Sequence, residues 1–121
     1  MTDKVVVLVT CGTSAEAGRI ARALVQGKLA ACVNVLDARV RSTYRWKGKV
    51  EASAESLLLV KTSVKLLNAV EAEVKRLHSY ELPEVIALPI VAGSRDYLKW
   101  LGDCLRPTGR SARHARARRK K

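Results

Sequence analysis

The residues best able to do chemistry sit at the ends of two apolar runs. His78, Glu81 and Glu84 fall within seven residues around Pro83, just ahead of one run, and Cys11 stands beside Gly12 at the end of another. Imidazole, carboxylate and thiol together make a donor set for a transition metal, and Cys32 adds a second thiol to it. Each residue also has a plainer role. His78 can be a loop histidine bonded to backbone, and Cys32 a small buried hydrophobe. Cys11 precedes Thr13-Ser14, where a helix can start; its thiol is then either inert or, at a helix N-terminus, one with a lowered pKa. The Cys11–Ser14 segment could also offer its N–H groups to an anion. It lacks the glycine spacing and the lysine of a P-loop. Cys104 is given no role, and His114 is at most an adventitious ligand.

Five aromatic residues, Tyr44, Trp46, Tyr80, Tyr97 and Trp100, supply nearly all the large side chains, because the chain has no Phe. Their structural reading is packing at a subunit interface, where aromatics bury much area. Their functional reading is a cleft walled together with His78, Lys61 and Glu84, open to a small anion or a metal. Lys61 is then an anion contact, or an ion-pair partner of Glu55 or Glu84. No nucleophile stands beside a base, so no catalytic residues and no enzyme activity are assigned.

The elements that must hold these groups follow from hydrophobic periodicity. Lys4–Thr10 is a continuous β-branched run, which suits an interior strand covered on both faces. Thr13 and Glu16 have capping-box spacing, and Ala17, Ile20, Ala21, Leu24 and Val25 share a helical face that ends at Gly27. Ala31–Val35 is apolar. Residues 39–46 then alternate, with Val40, Ser42, Tyr44 and Trp46 on one face. Lys47-Gly48 is a turn, and Lys49–Thr62 returns, giving a hairpin with arms of about 12 residues. A second helix is expected after Ser63, carrying Leu67, Val70, Val74 and Leu77. Val85–Val91 reads as the last strand, and Ser94 caps a short helix with Tyr97, Leu98 and Leu101.

The order β-α-β-β-α-β plus a C-terminal helix predicts an α+β domain of the ferredoxin-like, split βαβ class. The first and last strands are expected to lie apart in such a sheet. Cys11 and the His78 loop would then meet only through subunit packing. Strands apolar on both sides and an overlong hairpin with an open edge predict assembly with further copies.

Composition sets the outer limits. The chain has 121 residues, one ordinary domain, expected over residues 1–105. No run of about 18 apolar residues is present, so no membrane helix is expected. The N-terminus does not read as a signal peptide. Three widely spaced cysteines match no zinc or redox motif and suit a reducing, cytoplasmic setting. The net charge of +12 is uneven: residues 106–121 hold eight Lys/Arg and no acid, so the remaining 15 bases against 11 acids leave residues 1–105 at +4. The tail is expected to be disordered, with weak, non-specific affinity for nucleic acid or other polyanions.

Four stretches carry a family resemblance: KLAACVN (28–34), STYRWKG (42–48), ESLLLVKT (55–62) and HSYELPEVIALP (78–89), the last followed by DYLKWL (96–101). In this order and spacing the chain closely resembles the CutA divalent-cation tolerance proteins. Ser79 stands where the family commonly has Pro, and the basic tail is foreign to its pattern. The resemblance implies a stable homotrimer whose long strands pair between subunits. It also implies a cytoplasmic protein bound up with tolerance of divalent metal ions, copper above all, and no established catalysis. Copper suits imidazole nitrogen, and Cu(I) suits thiolate. The competing expectation is a trimeric regulatory or interaction scaffold that takes small ligands in intersubunit clefts. An RNA-binding domain of the same strand order is set aside, because Lys4–Thr10 and Leu57–Lys61 carry no aromatic stacking residue.

Overall fold

The computed structural model of the chain describes residues 2–108, without the side chain of Arg39. The expected disordered tail therefore lies outside the described residues, apart from Arg106–Thr108. The elements are β1 (Lys4–Cys11), α1 (Ser14–Gln26), β2 (Cys32–Trp46), β3 (Lys49–Ser63), α2 (Leu67–Leu77), β4 (Ile86–Pro89) and α3 (Arg95–Asp103), with a 3₁₀ turn at Val64–Leu66. The four strands form one antiparallel sheet in the order β2-β3-β1-β4. The α+β, split βαβ expectation holds.

β1 alternates strictly. Val5, Val7, Val9 and Cys11 are buried, while Val6, Leu8 and Thr10 are only half-buried. The buried set meets Leu58 and Val60 of β3, Ile20 and Leu24 of α1 and Val70 and Val74 of α2, all fully enclosed. Both helices thus cover one face, as their apolar stripes require. The opposite face is partly covered by α3, whose Gly102 lies against the Lys4 side chain and whose Tyr97 hydroxyl reaches the Cys32 sulfur at 3.6 Å.

The sheet order corrects the expectation that the first and last strands lie apart. β1 pairs with β3 on one side and with β4 on the other, Leu8 facing Ile86 and Val6 facing Leu88. The chain must pass from α2 back to the sheet on the free edge of β1, because β3 already occupies the other edge. The last strand is also shorter than Val85–Val91. Pro89 has no N–H for the ladder, and an edge strand tolerates it.

The hairpin is longer than expected, with 15 residues in each arm. At its tip Lys47 and Gly48 both have positive φ, 51° and 80°, the tight turn that a twisted two-residue hairpin needs. Midway, β2 bulges between Leu36 and Val40. Ser56 pins that bulge, donating its hydroxyl to Asp37 and accepting the Ala38 N–H. Above the bulge the two arms project with only each other to pair with.

Two helix ends differ in detail from the sequence reading. α1 stops with Gly27 at φ −79°, and the left-handed residue is Lys28 at φ 58°. Only half of the expected capping box forms. Thr13 Oγ1 accepts the Glu16 N–H, but the Glu16 carboxylate turns elsewhere.

Candidate functional site

The loop joining α2 to β4 builds the site. It leaves α2 at His78 and crosses the C-terminal end of β1, carrying residues from the helix-covered face round to the open one. The His78 side chain is fully enclosed. Its Nε2 lies 2.7 Å from the Thr10 carbonyl, and its Nδ1 lies 3.0 Å from the Tyr80 N–H and 3.2 Å from Glu16 Oε1. A carbonyl only accepts, so Nε2 carries the proton; a backbone N–H only donates, so Nδ1 presents its lone pair. That lone pair is taken by the Tyr80 N–H, and the Glu16 oxygen 3.2 Å away itself accepts the Ser79 N–H at 3.3 Å. Two acceptors at this distance are an arrangement that a cation between them would relieve.

Cys11 completes the group. Its Sγ, a Glu16 carboxylate oxygen and a His78 ring nitrogen all lie within 4.8 Å of one another. Burial, then the charges of Glu16 and Glu55, push the Cys11 thiol up to about 12. The lowered-pKa reading of Cys11 therefore gives way to the inert one. Cys11 is at the foot of α1, but it is wholly buried and flanked by two carboxylates, which outweigh the helix end. The same carboxylates make the Cys11–Ser14 segment a poor seat for an anion.

Glu16 was not among the expected ligands. Its signal in the sequence was the capping-box spacing, which reads as a helix-start device. The fold instead turns the carboxylate under the His78 loop, where it is 6% exposed. The other expected ligands lie elsewhere. Cys32 pairs with Lys61 and Cys11 with Ser56, five residues apart along β3, or about 17 Å. Lys61 donates to Asn34 Oδ1 and lies 3.8 Å from Cys32 Sγ. It makes no ion pair with Glu55 or Glu84.

Glu81 and Glu84 line a groove on the open face, about 710 Å³ in volume, between the projecting hairpin and the loop. Tyr44, Trp46 and Tyr80 supply its aromatic wall, and Glu51 and Glu55 join the acidic side. The Tyr80 hydroxyl donates to Glu55 Oε2 at 2.6 Å. A Cβ on Gly12 would stand 3.1 Å from that hydroxyl, so glycine at this position lets the ring cross the strand end. Burial and the Glu55 carboxylate push the Tyr80 phenol well above its usual range, which keeps it a donor. Burial and the charge of Glu55 likewise raise the Glu84 carboxyl. The expected aromatic set is thus split, for Tyr97 and Trp100 pack against each other on α3, ring centres 5.3 Å apart and planes tilted by 42°.

The chain matches the family model of the CutA1 divalent ion tolerance protein over residues 5–104. It is 50% identical over 95 residues to the CutA homolog of Xenopus laevis, covering 78% of this chain and 62% of that protein. It is 48% identical over 96 residues to the divalent-cation tolerance protein CutA of Thermus thermophilus, covering 79% and 92%. The solved structure of the Cut A1 protein from Thermus thermophilus superposes with a TM-score of 0.82 at 45% identity, covering 84% of this chain and 98% of that one. The chain spans less than two thirds of the frog relative but nearly all of the bacterial one.

Proposed function

The chain belongs to the CutA1 divalent ion tolerance family, and we propose that it takes part in the response to divalent metal ions by binding one, copper by preference, at Cys11, Glu16 and His78. The observation that carries this reading is the meeting of thiol, carboxylate and imidazole at the end of β1. The donor set is chemically apt, since imidazole and sulfur select copper over the hard cations that prefer oxygen alone. The surroundings fit as well. A ligating histidine usually gives its other ring N–H to a carbonyl or carboxylate, and His78 does so to Thr10. Nδ1 lies 3.2 Å from Glu16 Oε1, and a metal there would take the place of the Tyr80 N–H that Nδ1 now accepts.

Binding at this site has a proton cost that is set by the protein. The Cys11 thiol is neutral at ordinary pH, so it must release its proton to become a ligand. The incoming positive charge opposes the carboxylates that hold the proton in place. Affinity should therefore rise with pH between about 6 and 8. Titration calorimetry with Cu(II), and with Cu(I) under reducing conditions, tests the reading. Cys11→Ser and His78→Ala should each weaken binding about 100-fold or more. Unchanged affinity in both variants would end it.

The functional unit under this reading is a homotrimer, without catalysis, in the cytoplasm. The support is an open sheet face that leaves Ile86, Leu88 and Trp100 about half exposed, and a hairpin whose outer arms are long and singly paired. Three free cysteines, one of them fully buried as a thiol, suit a reducing compartment. Equilibrium sedimentation at micromolar concentration should return three times the mass of one chain. A stable monomer would exclude it.

A further inference from the structure

The three proposed ligands are shut in. The Cys11 and His78 side chains are fully buried, and Glu16 is 6% exposed. An ion reaches them only when a covering segment moves. Cys11 stands on β1 and Glu16 on α1, where hydrogen-bonded ladders and turns resist movement. Residues 78–85 form neither helix nor strand, and Leu82 among them is 69% exposed. Segments with few buried contacts open at least cost, so the way in lies under this loop.

The loop is fastened by the ligands themselves. Ser79 donates its N–H to Glu16 Oε1 at 3.3 Å, and Tyr80 donates its own to His78 Nδ1 at 3.0 Å. The two contacts differ in consequence. A carboxylate has a second oxygen and spare lone pairs, so Glu16 can hold Ser79 and still bind an ion. A neutral imidazole has a single acceptor nitrogen, and the Nε2–H of His78 is already committed to the Thr10 carbonyl at 2.7 Å. Nδ1 therefore holds the Tyr80 N–H or a metal, never both.

Tyr80 is also tied to another strand. Its hydroxyl donates to Glu55 Oε2 on β3 at 2.6 Å, and its ring lies 4.6 Å from the His78 ring. The ring crosses over Gly12, beside Cys11, with the hydroxyl 3.1 Å from where a Cβ would stand. One residue thus occupies the metal's seat with its backbone and is anchored elsewhere by its side chain. A hydrogen bond to a carboxylate is among the strong ones, so the anchor favours the closed arrangement.

We propose that Tyr80 is a latch on the metal site: a positioning residue whose N–H must leave Nδ1 before an ion is held, and whose hydroxyl, through Glu55, opposes that release. The latch rests on the metal reading above and adds its regulation. The protein binds its ion more weakly than the bare donors would, because only molecules with the latch open are competent. By linkage, a bound ion keeps the Tyr80 N–H free. The movement is the turning of one peptide group and needs no open groove beside it.

Cu(I) is the probe, because it is diamagnetic and leaves amide signals readable. In the full chain, under anaerobic reducing conditions, saturating Cu(I) should speed hydrogen exchange of the Tyr80 N–H about tenfold or more, while the amides of β1 and α1 keep their rates. Tyr80→Phe keeps the ring and the N–H and deletes the anchor. It should tighten Cu(I) binding about tenfold, measured in competition with a chelator. The sign is decisive, since losing a hydroxyl that merely supports the fold would weaken binding. Cys11→Ser separates the two readings. If Cu(I) fails to bind, or binds as well to Cys11→Ser, the metal reading falls and takes the latch with it. If binding needs Cys11 but Tyr80 exchange does not quicken, or Tyr80→Phe binds no tighter than the parent, the latch alone is overturned.

Discussion

The end of β1 and the hairpin groove are neighbours, share the His78–Glu84 loop, and are built on opposite terms. At the strand end, Cys11, Glu16 and the His78 ring are closed off from water, so each polar atom must be met by a partner or held neutral. In the groove the carboxylates stay largely wet and far apart, and Glu55, the one deeply buried among them, is met by Tyr80. Enclosure concentrates a few donors on one point and makes protonation costly to change. Openness spreads charge along a surface and leaves it easy to alter. The same loop therefore borders an enclosed polar cluster on one side and an exposed groove on the other.

The largest contrast should come from removing one carboxylate on each side. Glu16→Ala deletes the acceptor of the Ser79 N–H and the partner of His78 in a buried setting, and should cost about 2–3 kcal/mol. Glu51→Ala, in the exposed groove, should stay within about 0.5 kcal/mol of the parent. Urea unfolding at one fixed protein concentration measures both. Equal losses would erase the distinction between the two regions.

Alkaline pH should sharpen it. The folded Cys11 thiol holds its proton up to about 12, against an ordinary value of 9.0. Below the unfolded value both states are protonated and the stabilisation is complete. Between about 9 and 12 only the unfolded chain loses the proton, so stability falls by up to about 1.4 kcal/mol per pH unit. Cys11→Ala should lack this component of the alkaline decline when melting is followed from pH 8 to 11. A parallel decline in the variant would refute the assignment to Cys11.

The smallest effects concern two glycines. Gly48→Ala places a side chain at φ 80° on the hairpin tip, with free space around it, and should cost about 1 kcal/mol as backbone strain alone. Gly12→Ala meets the Tyr80 hydroxyl at 3.1 Å. Its cost should be of similar size, but it should also raise Tyr80 and Trp46 mobility, visible as altered tryptophan anisotropy. Gly48→Ala should leave the groove's tryptophan signal dependent only on the tip. Loss of the Tyr80–Glu55 contact in neither variant would mean that Gly12 does not govern the crossing.

Much of this protein can be read from its sequence because it depends on local pattern. The strand β1, the stripe Ile20–Leu24 on α1, the Lys47-Gly48 turn and the Ser94 cap are each fixed by neighbours a few residues away, and each formed as expected, although β1 buries one face where two were expected. The family, too, was legible, because its marks are short strings in a set order. Position along the chain also picked out His78 and Cys11 as groups with metal-binding chemistry.

Their meeting was a tertiary decision. Which edge of β1 receives β4 is settled by where β3 already sits, and periodicity carries no information about that choice. The same holds for Glu16: a carboxylate three residues after Thr13 can close a cap or reach across to another loop, and only the packing of the His78 loop against α1 selects the second. The choice between a lowered-pKa and an inert Cys11 thiol was tertiary for the same reason. A helix end is visible in the sequence, but the burial and the two carboxylates that override it belong to residues 16 and 55, brought there by the fold.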